Sequence, residues 1–102
     1  MTGPRLEVAV LGLGYWGPNL ARNVAASKAC RLAGLCDRDA ARLANVGAAY
    51  PGVPQTHDVE SLLRDPGVEA VAIATPLDAH YALARRCLEE GRHVLVFTNS
   101  GS

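Results

Sequence analysis

The chain has no surplus of charge of either sign: ten basic and ten acidic residues give a formal net charge of zero. That balance argues against nucleic acid or an anionic membrane as a generic partner, because both are held through clustered positive charge. No apolar stretch approaches the ~18 residues needed to cross a bilayer. The opening Met1-Thr2-Gly3-Pro4-Arg5 lacks the charged region and apolar core of a signal peptide, so a cytoplasmic location is expected. Cysteine is scarce. Cys30, Cys36 and Cys87 are odd in number and show no metal-ligand spacing, so they read as small apolar residues in a reducing compartment. No metal cluster, nucleophile elbow or P-loop lysine appears. With 49% of its 102 residues apolar, the chain is sized for one domain with a modest core.

What is present is glycine in a particular order. The run Leu6-Glu7-Val8-Ala9-Val10-Leu11 reads as a strand, Gly12-Leu13-Gly14-Tyr15-Trp16-Gly17 as a turn, and the segment from Pro18 as a helix. A dinucleotide diphosphate needs this order. Gly12 permits the tight turn, Gly14 lets the backbone approach the phosphates, and Gly17 lets the helix sit close to the strand. Free N–H groups of the helix's first turn then face negative charge.

Strand and helix alternate along the rest of the chain. Helix one is expected over 18–27, with Leu20, Ala21, Val24 and Ala25 inward. A second strand covers 31–36, and a helix over 39–49 has Ala40, Leu43, Ala44 and Gly47 on its inner line. Gln55-Thr56-His57 is a short edge strand, and Asp58 caps a brief helix ending at Arg64. The stretch over 69–75, continuously apolar from Ala70 to Ala74, suits a strand covered on both faces. A helix over 78–90 follows, with Ala79, Leu83 and Cys87 on one line and Ala84 and Leu88 beside it; His93–Phe97 forms the fifth strand. The expected architecture is α/β: a doubly wound parallel sheet of five strands in the order 3-2-1-4-5, spanning residues 1–96, with an irregular tail at 97–102. Ligand should sit above the carboxyl ends of strands one and four, at the switch point.

Several residues border that position. Asp37, at the end of strand two and 20 residues past Gly17, is placed to accept hydrogen bonds from the adenosine ribose; it also fits a helix N-cap, although Asp39 can do that capping. A carboxylate there would repel a 2′-phosphate, which favours NAD over NADP. Arg38 fits adenine stacking, a 2′-phosphate if Asp37 turns aside, or a solvated surface role. Tyr15 and Trp16 either cover the cofactor or a neighbouring domain, or pack the helix start. Thr75 and Pro76 end strand four and border the middle of the cofactor by topology. His80 lies in the first turn of the last helix near the same crevice, as a packing or hydrogen-bonding residue or as a participant in chemistry.

With those residues placed, the chain resembles the N-terminal Rossmann domain of the Gfo/Idh/MocA oxidoreductases, relatives of glucose–fructose oxidoreductase and inositol dehydrogenase. The resemblance rests on Val8–Gly17, Cys36-Asp37-Arg38, Ala74-Thr75-Pro76 with His80, and Gly91-Arg92-His93-Val94-Leu95-Val96. Gly14-Tyr15-Trp16-Gly17-Pro18-Asn19 is similar to members acting on nucleotide-linked amino sugars, such as UDP-N-acetylglucosamine dehydrogenases. The resemblance implies NAD, with NADP as the alternative, bound by the glycine turn, Asp37, Arg38, Ala74, Thr75 and Pro76, with His80 near the nicotinamide. It also implies a second domain that binds a sugar or nucleotide sugar and often mediates homo-oligomers. Relatives read Glu-Lys-Pro after the fifth strand, where the lysine assists hydroxyl deprotonation. This chain reads Phe97-Thr98-Asn99, and threonine has no comparable proton affinity.

The leading expectation is therefore a dinucleotide-binding domain of a sugar-type oxidoreductase, truncated and without activity of its own. A stand-alone nucleotide sensor or interaction module is the alternative. A methyltransferase binding adenosylmethionine shares the glycine loop and ribose carboxylate, but the Thr75-Pro76 and His80 pattern argues against it.

Overall fold

A computed structural model describes residues 5–75 and 77–96. Nine elements alternate along them: β1 (Leu6–Leu11), α1 (Gly17–Ala26), β2 (Cys30–Cys36), α2 (Ala40–Gly47), β3 (Gln55–Thr56), α3 (Val59–Arg64), β4 (Ala70–Ile73), α4 (Leu77–Glu89) and β5 (His93–Val96). The five strands form one sheet in the order β3-β2-β1-β4-β5, with every pairing parallel. This is the order expected of a doubly wound sheet. It leaves β1 and β4 side by side, with their chains departing toward opposite faces.

Alternation along each strand divides the core in two. Val8 and Val10 of β1 and Ala70 and Ala72 of β4 point toward Leu20, Ala21 and Val24 of α1 and Leu43 and Val46 of α2. Ala9 and Leu11, with Val71 and Ile73, point the other way, toward Leu62 and Leu63 of α3 and Cys87 of α4. All eight of those β1 and β4 residues are at most 3% exposed, as a sheet covered on both faces requires. The register of β2 slips by one residue between Val8 and Ala9, which pair with Leu32 and Gly34. The unpaired Ala33 puts Leu32 and Leu35, three apart, on one face of the sheet.

The helices depart from expectation in phase and length. Ala25, Ala40, Ala44 and Leu88 are exposed instead of inward. Helix α2 is only eight residues long, and its inner line is Leu43, Val46 and Gly47. A Cβ at Gly47 would collide with the Gln55 side chain, so the helix meets β3 there through glycine. Past Gly47 the bonds tighten, with Ala49 and Tyr50 donating to Val46 and Gly47, which ends the helix before the expected Ala49. Strand β4 is shorter than expected: its edge bond ends with the Ala74 amide on Leu11, beyond which the chain turns. His57 lies outside β3, leaving it two residues long. The end of the fifth strand at Phe97 and the tail at 97–102 lie outside the described residues. Across the outer face, Arg86 of α4 donates to both Glu60 carboxylate oxygens on α3 and to Glu90, which holds the Glu90 carboxyl below its usual range. No described helix is long and apolar enough to cross a membrane.

Candidate functional site

The glycine turn is built by close approach. Gly12 has φ +96°, a left-handed conformation open to glycine, and a Cβ there would lie 2.8 Å from Thr75 Cγ2 and 2.9 Å from the Thr75 amide nitrogen. A Cβ on Gly17 would collide with the Gly12 carbonyl, so the first residue of α1 rests directly on the end of β1. Gly14 differs: its open side faces only the Arg42 guanidinium, 3.3 Å from where a Cβ would be. Two of the three glycines thus serve packing, and the third keeps a surface clear.

Helix α1 begins without a lid. Its N-cap Trp16 makes no side-chain cap bond, and no acidic residue stands in the first turn. Pro18 needs no partner, since it has no N–H. Tyr15 and Trp16 lean edge to face on each other, with ring centres 5.3 Å apart and planes at 84°. Tyr15 is 82% exposed, so it does not pack the helix start, as one sequence reading allowed.

Beside the turn lies a crevice of about 770 Å³, within the range of small-molecule and cofactor sites. Its floor is the carboxyl edge of the sheet: Leu11, Gly12 and Gly14 after β1, Cys36, Asp37 and Arg38 after β2, and Ala74 and Thr75 after β4. Arg42 of α2 flanks one wall. Val59, Ala79, Ala82 and Leu83 supply apolar surface on the other, with Asp58, Glu60 and Asp78 around it. His57 completes the lining and brings its Nδ1 within 3.3 Å of the Asp37 carbonyl oxygen.

Asp37 occupies the centre of this arrangement, though not as a cap of α2. Its Oδ2 accepts from the Leu13 amide at 2.7 Å and its Oδ1 from the Asp39 amide at 2.8 Å, tying the glycine turn to the end of β2. The capping falls to Asp39, whose Oδ1 accepts from the amides of Ala41 and Arg42. The Cys36 thiol is pushed up to about 12, chiefly by burial and then by Asp37 and Asp58, so it stays protonated and unreactive.

His80 sits in the first turn of α4, as expected, and is 7% exposed and outside the crevice lining, which suits the packing reading of it more than a part in chemistry. At 100° per residue, the crevice takes Asp78, Ala79, Ala82 and Leu83, and His80 falls in the stripe shared with Ala84 and Cys87. Neither ring nitrogen has a partner among the described residues. The Thr75 hydroxyl is likewise buried without a partner among them, but at the crevice floor. Pro76 lies outside the described residues. Among the described residues no group of acidic, histidine and cysteine side chains is arranged to hold a metal.

The arrangement thus has an uncapped helix start, a turn cleared by glycine, a carboxylate at the end of β2, an orphaned hydroxyl, and a crevice for the rest of an elongated ligand. A family model described as an oxidoreductase family with an NAD-binding Rossmann fold matches residues 6–96. The chain belongs to this Gfo/Idh/MocA family. It is 32% identical over 92 residues to the uncharacterized oxidoreductase YdgJ of Escherichia coli, covering 89% of this chain and 26% of that protein. It is 34% identical over 96 residues to the UDP-N-acetylglucosamine 3-dehydrogenase of Acidithiobacillus ferrooxidans, covering 89% and 28%. Among solved structures, GenD2 from gentamicin A biosynthesis, in complex with NAD, superposes with a TM-score of 0.87 at 31% identity over 94% of this chain and 27% of that one. The chain therefore spans about a quarter of the length of these relatives and corresponds to their NAD(P)-binding domain. The residues present fit that cofactor, since the cleared turn and the uncapped amides are what a dinucleotide diphosphate requires.

Sequence reasoning missed Arg42 and the α3 residues of the crevice. Arg42 carries a signal in retrospect: it lies five residues past Asp37 in the first turn of α2, at the same edge of the sheet.

Proposed function

We propose that this chain holds NAD for hydride transfer between nicotinamide and a sugar or polyol hydroxyl, in keeping with relatives named as an inositol 2-dehydrogenase and a UDP-N-acetylglucosamine 3-dehydrogenase. The observation that supports it best is the uncapped first turn of α1 behind Gly12, Gly14 and Gly17. In this reading the first-turn amides and the Gly14 surface meet the diphosphate, and Asp37 turns its remaining lone pairs toward the adenosine ribose. Arg38 flanks the adenine, Val59, Ala79 and Leu83 enclose its faces, and Ala74 and Thr75 border the middle of the cofactor, with the Thr75 Oγ1 as its free donor. Tyr15 and Trp16 stand over the outer side of the turn. When bound, the nicotinamide supplies the hydride acceptor; the protein supplies position. The proton acceptor for a substrate hydroxyl is not assigned to Thr98, which has no suitable proton affinity.

Fluorescence titration of the folded chain with NADH should be saturable. Gly14→Val places a branched side chain on the one glycine surface left open to a ligand and should abolish that saturation while leaving the thermal transition within a few degrees. A folded wild-type chain with no saturable signal for NADH or NADPH would defeat the reading.

A further inference from the structure

The crevice wall away from Arg42 is made by the start of α3 and the first two turns of α4. Helix α3 is weakly anchored at that end. The strand before it is two residues long, and its buried residues, Leu62 and Leu63, lie in its second half. Toward the crevice Val59 is only half-buried and Glu60 is exposed. Two arginines supply the missing hold. Arg92 takes the far end, its Nη2 donating to the carbonyl oxygens of Leu63 at 2.7 Å and Asp65 at 3.2 Å, and its Nη1 to that of Glu90 at 3.1 Å. Arg86 takes the crevice end. Its Nε donates to Glu60 Oε2 at 2.9 Å, its Nη2 to Glu60 Oε1, and its Nη1 to the Glu90 carboxylate at 2.7 Å. The two clamps meet at Glu90, whose carboxylate accepts from Arg86 and whose carbonyl accepts from Arg92. Among the described residues the Arg86 fork makes the only side-chain hydrogen bonds between α3 and α4. A two-pronged, networked pair is the kind of surface ion pair that fixes geometry.

We propose that Arg86 is a positioning residue for the dinucleotide: by gripping Glu60 it sets Val59 against Ala79 and Leu83 and fixes the width of the slot that takes the adenine. It touches no ligand and acts through α3. This rests on the dinucleotide lying in the crevice, and the test separates the two. Calorimetric titration of the 102-residue chain would use NADH and 5′-AMP. Arg86→Met keeps the apolar stem and removes the fork; it should weaken both ligands roughly three- to tenfold, with the circular dichroism unchanged. Arg86→Lys, which offers one ammonium in place of the fork, should fall between wild type and Arg86→Met. Hydrogen exchange in the ligand-free chain should quicken at the amides over 60–64 in Arg86→Met and stay level in α1. Combining Glu60→Gln with Arg86→Met separates geometry from charge: a slot that has lost its width stays weak, whereas relief of an unpaired carboxylate would restore binding. Restored affinity in that double variant, wild-type affinity for both ligands in Arg86→Met, or exchange that quickens equally in α1 would each overturn the assignment. A folded wild type that binds neither NADH nor 5′-AMP would overturn the cofactor reading instead.

Discussion

Helices α1 and α2 start at the same edge of the sheet, each after one of the first two strands, and treat their first turns in opposite ways. At α2, Asp39 has extended backbone (φ −84°, ψ 113°), and its carboxylate accepts from two first-turn amides. At α1 the same position is Trp16, already helical (φ −94°, ψ −22°), with no side-chain bond to any amide. An aspartate cap contributes about 1 kcal/mol. Helix α1 goes without that contribution, and behind it stand the two glycines whose packing brings the helix start onto the end of β1. Helix α3 follows the pattern of α2, with Asp58 accepting from the Glu60 amide. An open helix start among capped neighbours, joined to a turn that tolerates no Cβ at two positions, is the feature the proposed diphosphate site rests on.

Closing the open start gives the largest expected effect. Trp16→Asp places a carboxylate at the open start of α1, where Pro18 offers no N–H and it cannot cap as Asp39 does at α2, so its main effect is to repel the diphosphate. NADH affinity should fall at least tenfold, while the thermal midpoint stays within a few degrees, because the ring that is lost is partly exposed. Parallel titration and melting read the two quantities separately. A variant that keeps wild-type affinity would show that the first-turn amides are not where the dinucleotide binds.

Most of this is legible in the sequence. The apolar runs of β1 and β4 are continuous because both faces are covered, and that continuity gave their place at the centre of the sheet. The glycine spacing marked the turn, and Asp37 marked the end of β2. What escaped depends on helix phase or on contacts distant in sequence. His80 was placed near the crevice by its position in α4, but the phase of α4 sends it inward with Cys87. The Asp37 bond to Leu13 spans 24 residues, and no local pattern announces it. The approach of Arg42 to Gly14 joins two helix starts brought together only by the sheet. Short helices with alanine on every face, such as α2, have an ambiguous inner stripe, which is how Ala40 and Ala44 came to be expected where Val46 is found.

The converse of closing α1 is opening α2. Asp39→Ala removes the acceptor for the Ala41 and Arg42 amides and should destabilise the chain by about 1 kcal/mol. NADH affinity should stay within about threefold of wild type, because Asp37 keeps its own bond to Leu13. Denaturant unfolding and titration would measure these. A large loss of affinity with unchanged stability would erase the contrast between the two helix starts.

The smallest effect belongs to α3. Asp58→Ala removes one cap bond, 3.0 Å to the Glu60 amide, and a 3.3 Å bond from the Ser61 hydroxyl. The helix is six residues long and is held at its other partners by buried Leu62 and Leu63 and by the Arg86–Glu60 pair. The packing contacts survive the substitution, so the expected loss is about 0.5–1 kcal/mol, at or below that of Asp39→Ala. Asp58 also lines the crevice on the wall away from Arg42, so removing its charge should raise NADPH affinity slightly or leave it unchanged. A stability loss exceeding that at Asp39 would mean that α3 depends on its cap more than on its core contacts, and the order of the three helix starts would have to be redrawn.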